Sequence, residues 1–287
     1  MKVSIITVVF NNAETITECI RSVLDQIYKN IELIIIDGGS TDGTQLKIES
    51  FKEEIAYYIS EKDSGIFDAY NKGIKKATGD VIGILNSDDF LYEQETISKI
   101  VKAFEDSKAD LVYGNGMFVS QNDTSKIKRI YSSKTFKRNY LNFGWIPLHP
   151  TIYVKKEVYD KYGLYSLNYS IASDYDISLR WFQNEKISKY FLKDWIVKMR
   201  LGGKSTCIKL QRRKSTEDMK VIREHKLMGP LTLVFKIGRK IPQYIYPQLI
   251  RPHINSSKNL KKVRKTEPYR SLSFLRNLFT SKESVSN

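Results

Sequence analysis

Apolar residues in the first half of the chain fall into short unbroken runs, separated by stretches of helical spacing. Val3 to Phe10 reads Val-Ser-Ile-Ile-Thr-Val-Val-Phe, and Ile31 to Ile36 is apolar except for Glu32. Runs of this kind, β-branched and without strict alternation, mark strands covered on both faces of a sheet. Between them Ile16, Cys19, Ile20, Val23, Leu24 and Ile27 recur at helical spacing behind the capping pair Asn11-Asn12. Strand, helix and strand in that order predict a parallel βαβ unit. The alternation continues with a strand at 56–60, a helix at 67–77, a strand at 81–85, a helix at 95–104 and a strand at 111–113. Residues 116–131 read as a hairpin, and the pattern beyond Trp145 is mixed, so the regular parallel part is expected to stop there. The fold class is α/β: a Rossmann-like, mainly parallel sheet with flanking helices.

Composition narrows the class. With 287 residues, 41% hydrophobic and 28% charged, the chain can bury a full core and is not a disordered segment. No apolar run reaches the ~18 residues of a membrane-spanning helix, and the first residues read as a buried strand rather than a leader. A cytoplasmic location is therefore expected. Cys19 and Cys207 are too few for a disulfide framework or a thiolate metal site.

The net charge of +15 is uneven: residues 199–287 hold 21 Lys and Arg against 5 Asp and Glu, whereas residues 1–198 are nearly neutral. Such a basic tail can meet nucleic acid, an acidic protein or an anionic membrane, and charge alone does not choose.

Ligands of open parallel sheets bind beyond the carboxyl ends of the strands. Here those loops are acidic: Asn11, then Asp37, then Glu61 and Asp63, then Asn86-Ser87-Asp88-Asp89. Neither Gly-x-Gly-x-x-Gly nor Gly-Lys-Ser/Thr follows the first strand, so no glycine cradle holds a phosphate there. The remaining way to seat a diphosphate beside carboxylates is a divalent cation, which takes hard oxygen ligands from one or two acids and the phosphates themselves. Asp88 and Asp89 suit that use, although paired aspartates after a strand also form turns and caps. Asp37-Gly38-Gly39-Ser40-Thr41-Asp42-Gly43-Thr44 allows a ligand close to the backbone, and the segment from Ser60 to Ile74 gathers polar groups at a helix start. In that segment Asp68 and Asn71 join the candidate donor-binding residues.

The ordered blocks Thr7-Val8-Val9-Phe10-Asn11, Asp37 to Thr44, Asp63 to Ile74, Gly79-Asp80 and Leu85 to Asp89 resemble those of glycosyltransferase family 2, with the colanic-acid and O-antigen enzymes most similar. The resemblance spans Met1 to about Thr206. It implies a GT-A fold and an inverting, metal-dependent hexosyltransferase that moves one sugar from a nucleotide-sugar, UDP-hexose foremost, onto a glycan or lipid-diphosphate-linked saccharide. It also implies that Thr7, Val9, Asn11 and Asp37 hold the nucleoside, and that Asp88 and Asp89 meet Mn²⁺ or Mg²⁺ and the ribose. The family's usual Asp-x-Asp is here Asn86-Ser87-Asp88, so its first carboxylate is missing.

In the same family the base opens a helix in the second half, and Ser173-Asp174-Tyr175-Asp176-Ile177-Ser178-Leu179-Arg180 matches that string with Ser173 in place of glutamate. Asp174 is the expected base and Asp176 the alternative, since a sugar hydroxyl needs a carboxylate within hydrogen-bond reach to take its proton. Trp145 and His149 are candidate acceptor contacts, or core. Leu201 to Thr206 resembles a Gly-Gly-x-Ser string of this subgroup, where Ser205 or the backbone would reach the diphosphate. A Gln-x-x-Arg-Trp string of processive synthases is missing after Asp174, which favours one sugar per encounter.

The organisation that follows is a catalytic domain over 1–208, with a nucleotide-sugar half at 1–115 and an acceptor and base half at 116–208, plus a basic, partly amphipathic helical segment at 209–287. Apolar residues of 231–250 would lie in a membrane interface while Lys258, Lys261, Lys262, Arg264 and Lys265 meet anionic headgroups on the inner face of the membrane. The same stretch packed on the domain, or on a second subunit in a homodimer, is the competing reading. Two other functions stand as alternatives. A nucleic-acid or acidic-partner binder acting through the tail lacks a recognition helix or stacking platform, and a sugar-nucleotide nucleotidyltransferase needs a Gly-rich basic loop where Asn11-Asn12-Ala13-Glu14 stands.

Overall fold

The computed structural model describes residues 1–202, 208–245 and 247. The predicted unit opens it: β1 (Val3–Val9), α1 (Ile16–Leu24) and β2 (Ile31–Asp37) are followed by α2 (Thr44–Glu49), β3 (Tyr57–Ser60), α3 (Ile66–Lys76) and β4 (Val81–Ile84). β1 lies between β2 and β4, parallel to both, and β3 extends the edge beyond β2. The apolar runs divide by parity. Val3, Ile5, Leu33 and Ile35 enter the core under α1, while Ile6, Val8, Ile34 and Ile36 enter the core under α3. Each buried Ile or Val contributes about 1.5–3 kcal/mol, so these two strands alone fix which faces are covered. Ile27, assigned to the α1 face by its spacing, is 56% exposed, because the helix has already closed on Asp25.

After β5 (Phe90–Leu91) and α4 (Thr96–Ser107), the sheet becomes mixed. β6 (Leu111–Ser120), β7 (Ile127–Tyr131), β8 (Ile152–Lys155) and β9 (Lys189–Leu201) complete nine strands ordered β3-β2-β1-β4-β8-β6-β9-β5, with β7 paired to β6. β8 runs antiparallel to β4 and β6, and the thirteen-residue β9 runs parallel to β6. Two helices close the region, α5 (Lys156–Tyr162) and α6 (Ser173–Gln183).

The basic segment does not begin as a separate tail. Val221 and Ile222 of α7 (Ile208–Glu224) are completely buried in the core under α3, and Glu217 accepts from the Ile171 and Ala172 backbone amides at 2.8 and 3.0 Å. α8 (Pro230–Gly238) then lies across α7 and the turn at 138–143, where Thr232 Oγ1 donates to the Asn142 carbonyl and Phe235 meets Phe143. The expected contacts of Gly203 to Thr206 and of the lysines from Lys258 onward lie outside the described residues, as does Cys207. No described helix is long and apolar enough to cross a membrane.

Candidate active site

β1 has β2 on one side and β4 on the other, and the loops leaving β1 and β4 meet at the carboxyl edge of the sheet, where ligands of such sheets bind: Asn12 Nδ2 donates to Ser87 Oγ and Thr15 Oγ1 to the Ser87 carbonyl, both at 2.9 Å. On the β1 side, Asn11 takes a left-handed backbone, φ 49°, which an asparagine tolerates when its amide bonds locally. Its Oδ1 accepts from the Thr41 amide at 2.8 Å, and its own amide donates to Ser40 Oγ at 2.8 Å. Asp37 is fully buried and accepts from the Ser40 amide at 3.0 Å and from the hydroxyls of Ser40 and Ser60. Asp42 accepts from the Thr44 hydroxyl and from the amides of Thr44 and Ala13, which holds its carboxyl below the usual range.

Two expected donor residues face elsewhere. Thr7 is fully buried with Oγ1 3.8 Å from Cys19 Sγ, and Val9 is buried in the same core, because strand alternation points both at α1. The exposed group at this strand end is Phe10, at 48%, which sequence reading passed over. It flanks Gly38, where a Cβ would come within 2.7 Å of Asp63 Oδ2 and 3.4 Å of the Phe10 ring, so a side chain here would push the Asp63 carboxylate aside.

α3 contributes the floor. Asp68 accepts from the Ser64 amide at 3.1 Å and lies 3.5 Å from Lys72 Nζ. Asn71 is buried with its amide fully used: Nδ2 donates to the Tyr165 carbonyl at 2.9 Å and Oδ1 accepts from the Tyr165 amide at 3.0 Å. It therefore positions a loop rather than presenting a free group. That loop sets Tyr165 against Phe67 and Tyr70, with its hydroxyl 2.6 Å from His149 Nε2. Burial lowers the His149 pKa, with the charge of Asp174 opposing. Trp145 belongs to the core, edge-on to Tyr113 and Phe182.

The chemistry converges at the end of β4. Tyr70 donates its hydroxyl to Asn86 Oδ1, and Asn86 Nδ2 donates to Asp89 Oδ2 at 3.0 Å. Asn86, where the family has a carboxylate, thus orients Asp89 from α3. Asp89 Oδ1 is buried with no hydrogen-bond partner among the described residues. Burial, then the neighbouring Asp88 charge, pushes the Asp89 carboxyl well up, and burial also raises Asp88. Arg200 of β9, buried at 9% exposure, donates to the Asp88 carbonyl at 2.8 Å and pairs with Glu18. Sequence reasoning missed it. Its signal was its place just before the Gly202-Gly203 string.

Asp174 stands in the first turn of α6, half-buried, with one oxygen accepting from the Tyr175 amide at 2.7 Å. The Tyr70 phenol is raised by burial first and then by the charges of Asp174, Asp89 and Asp88, so all three carboxylates act on one hydroxyl. Asp176 points away: it is buried, 3.1 Å from Arg180 Nε and 2.9 Å from His225 Nε2, tying α6 to α7. A group of three or more metal-ligating side chains is absent among the described residues. A divalent cation shared with substrate phosphates needs only one or two, and the unanswered Asp89 Oδ1 beside Asp88 is a fitting pair of hard donors.

The model of glycosyl transferase family 2 matches residues 4–163. The chain belongs to this family. A PGL/p-HBAD biosynthesis glycosyltransferase of Mycobacterium bovis (strain BCG / Pasteur 1173P2) is 31% identical over 185 residues, 63% of this chain and 70% of that one. An uncharacterized glycosyltransferase of Rickettsia typhi is 30% identical over 212 residues, 71% of this chain and 65% of the relative. Among solved structures, S. aureus TarS 1-349 in complex with UDP-GlcNAc superposes with a TM-score of 0.60 at 16% identity, over 97% of this chain and 80% of that one. A longer TarS structure is spanned over only 44% of its length. The mannosyltransferase PcManGT from Pyrobaculum calidifontis, with GDP-Man and Mn²⁺, gives 0.60 at 16% identity over 96% and 84% of the two chains. At such identities the likeness is one of fold, and the family 2 chain has the expected GT-A architecture.

Proposed function

We propose that this chain moves one sugar from a nucleotide-sugar, UDP-hexose foremost, to a hydroxyl of a glycan or lipid-linked saccharide, inverting the anomeric carbon, in the making of a bacterial surface polysaccharide. The observation that carries this reading is that Asp88 and Asp89 of the loop after β4 and Asp174 of α6 act together on the buried Tyr70 hydroxyl, itself bonded to Asn86. The names of relatives and neighbours support it: one is assigned to PGL/p-HBAD biosynthesis, and the neighbours bind UDP-GlcNAc or GDP-Man.

In this reading Phe10, Asn11 and the Asp37 loop shape the nucleoside pocket. Asp37 acts through the loop it braces, and Asp68 and Asn71 hold the cleft floor. Asp88 and Asp89 would hold Mn²⁺ or Mg²⁺, whose charge, when bound, offsets that of the departing diphosphate. Asp174, one oxygen of which accepts from the Tyr175 amide, takes the acceptor proton with the other, and Asp176, committed to Arg180 and His225, does not. Tyr70 and His149 line the acceptor side. The protein works at the inner face of the cell membrane, held there peripherally through its basic C-terminal segment.

The test is a screen of UDP-, GDP- and dTDP-sugars for cation-dependent turnover, followed by Asp174→Asn and Asp176→Asn. Asp174→Asn should lower kcat ~10²–10⁴-fold while the thermal shift with donor persists, whereas Asp176→Asn should lower stability first. Near-normal turnover in Asp174→Asn overturns the assignment of the base.

A further inference from the structure

Behind Asp174, among the described residues, cations outnumber the carboxylates that face them. Lys236 of α8 lies 2.8 Å from Asp218 of α7 and 3.2 Å above the Tyr175 ring, next to the base. Arg239 donates from Nη2 to Tyr131 at 3.1 Å, yet its Nε and Nη1 are buried with no hydrogen-bond partner among the described residues. Arg129 of β7, donating to Gln243 at 2.7 Å, and Lys214 and Lys240 complete the group, and their mutual repulsion acts on Lys240. Burial brings the Lys236 amine down to about 8, with Asp218 and Asp174 opposing. A buried excess of positive charge costs stability unless an anion offsets it, and a guanidinium with two idle nitrogens is the donor that matches a phosphate.

The other side of the same helix is apolar and bare. Leu231, Val234 and Ile237 of α8, and Ile241 just beyond it, are between 48% and 62% exposed. Apolar strip, cations and Asp174 therefore follow one another across α8. That is the order of parts in an amphiphile whose chain lies in a lipid surface, whose diphosphate comes next and whose sugar hydroxyl comes last. An inorganic anion alone would leave the strip uncovered.

We propose that Arg129, Lys236, Arg239 and Lys240 form the site for the diphosphate of a lipid-linked acceptor, delivered from the membrane across α8. This rests on the glycosyl-transfer reading and adds which residues would hold the acceptor's diphosphate.

The experiment measures co-sedimentation of the full chain with three probes. These are phosphatidylcholine vesicles doped with a long-chain isoprenyl diphosphate, the same vesicles doped to equal charge with phosphatidylserine, and soluble inorganic pyrophosphate as competitor. The chain should prefer the diphosphate vesicles at least ~10-fold, pyrophosphate should compete, and Arg239→Gln should remove the preference. Equal capture by both vesicle types would reduce α8 to a nonspecific membrane contact and overturn the proposal. So would an Arg239→Gln chain that keeps the preference, or pyrophosphate binding to which the lipid chain adds nothing. Without ligand, Arg239→Gln should melt no lower than the parent, since it relieves repulsion, and Lys240→Gln should lose the preference in part, so misfolding cannot imitate the result. A parent chain that selects the diphosphate yet responds to no nucleotide-sugar supports this site and sinks the reading of the preceding subsection.

Discussion

The two walls of the cleft treat their buried polar groups in opposite ways. In the loops after β1 and β2, Asn11, Asp37, Ser40, Asp42 and Thr44 answer one another with hydrogen bonds. On the other wall, made by the end of the β4 loop, α6 and the residues after α8, Asp89 Oδ1, Ser173 Oγ, the Tyr175 hydroxyl and two nitrogens of Arg239 are buried without a hydrogen-bond partner among the described residues. An unanswered buried polar group costs about 1–3 kcal/mol, so a fold keeps several together where something else is to answer them. The first wall is finished scaffold and the second is a receiving surface. Substitutions on the first should therefore act on stability, and on the second chiefly on binding and turnover.

The largest effect that tests this division is at Asp89. Asp89→Asn keeps the bond from Asn86 but removes a buried charge held beside Asp88. Turnover should fall ~10²-fold or more, and stabilisation of the parent by Mn²⁺ or Mg²⁺ in a thermal melt should disappear. Without added cation the variant should melt at or above the parent, since the carboxylate pair no longer repels. A cation-free Asp89→Asn that melts several degrees lower would place Asp89 on the scaffold side of the comparison.

Next in size is Asp37→Asn on the finished wall. Asp37 accepts from one amide and two hydroxyls in full burial, and a bond to a charged group contributes about 1.5–3 kcal/mol. The variant should lose at least ~2 kcal/mol in urea unfolding, with or without cation. Any loss of donor binding should follow from the slackened loop. Full stability with donor affinity abolished would instead make Asp37 a direct ligand.

How far each wall could be read in the sequence follows the same line. The finished wall sits on the parallel strands, whose apolar runs and glycine-rich turns state their own conformation, and the expected strands and helices appear there within a residue or two. Even so, alternation along β1 should have separated Thr7 and Val9 from Phe10, since residues two apart share a face. The receiving wall is assembled by long-range pairing. β9 carries Lys189, Lys193, Asp194, Lys198 and Arg200 and shifts register against β6 twice, which blurs its period of two. Arg200 was hidden with it. Asp174 and Asp176 open the same helix turn, and only the partners Arg180 and His225, supplied by packing, tell them apart. The convergence of Lys236 and Arg239 on Tyr175 and Tyr131 was likewise invisible to a charge count, which saw only a basic tail.

The smallest effect makes the sharpest contrast, because it uses one chemical change on both walls. Ser40 Oγ accepts from the Asn11 amide and donates to Asp37. Ser173 Oγ, equally buried, has no partner among the described residues. Removing the first hydroxyl leaves a buried amide and a carboxylate short of a bond, so Ser40→Ala should cost about 1–2 kcal/mol. Removing the second discards a desolvated group that gains nothing in the free protein, so Ser173→Ala should lie within about 0.5 kcal/mol of the parent or be slightly stabilising. Chemical denaturation of the two variants side by side decides it. Equal losses would mean that Ser173 is answered in the free protein, and the difference between the walls would not hold.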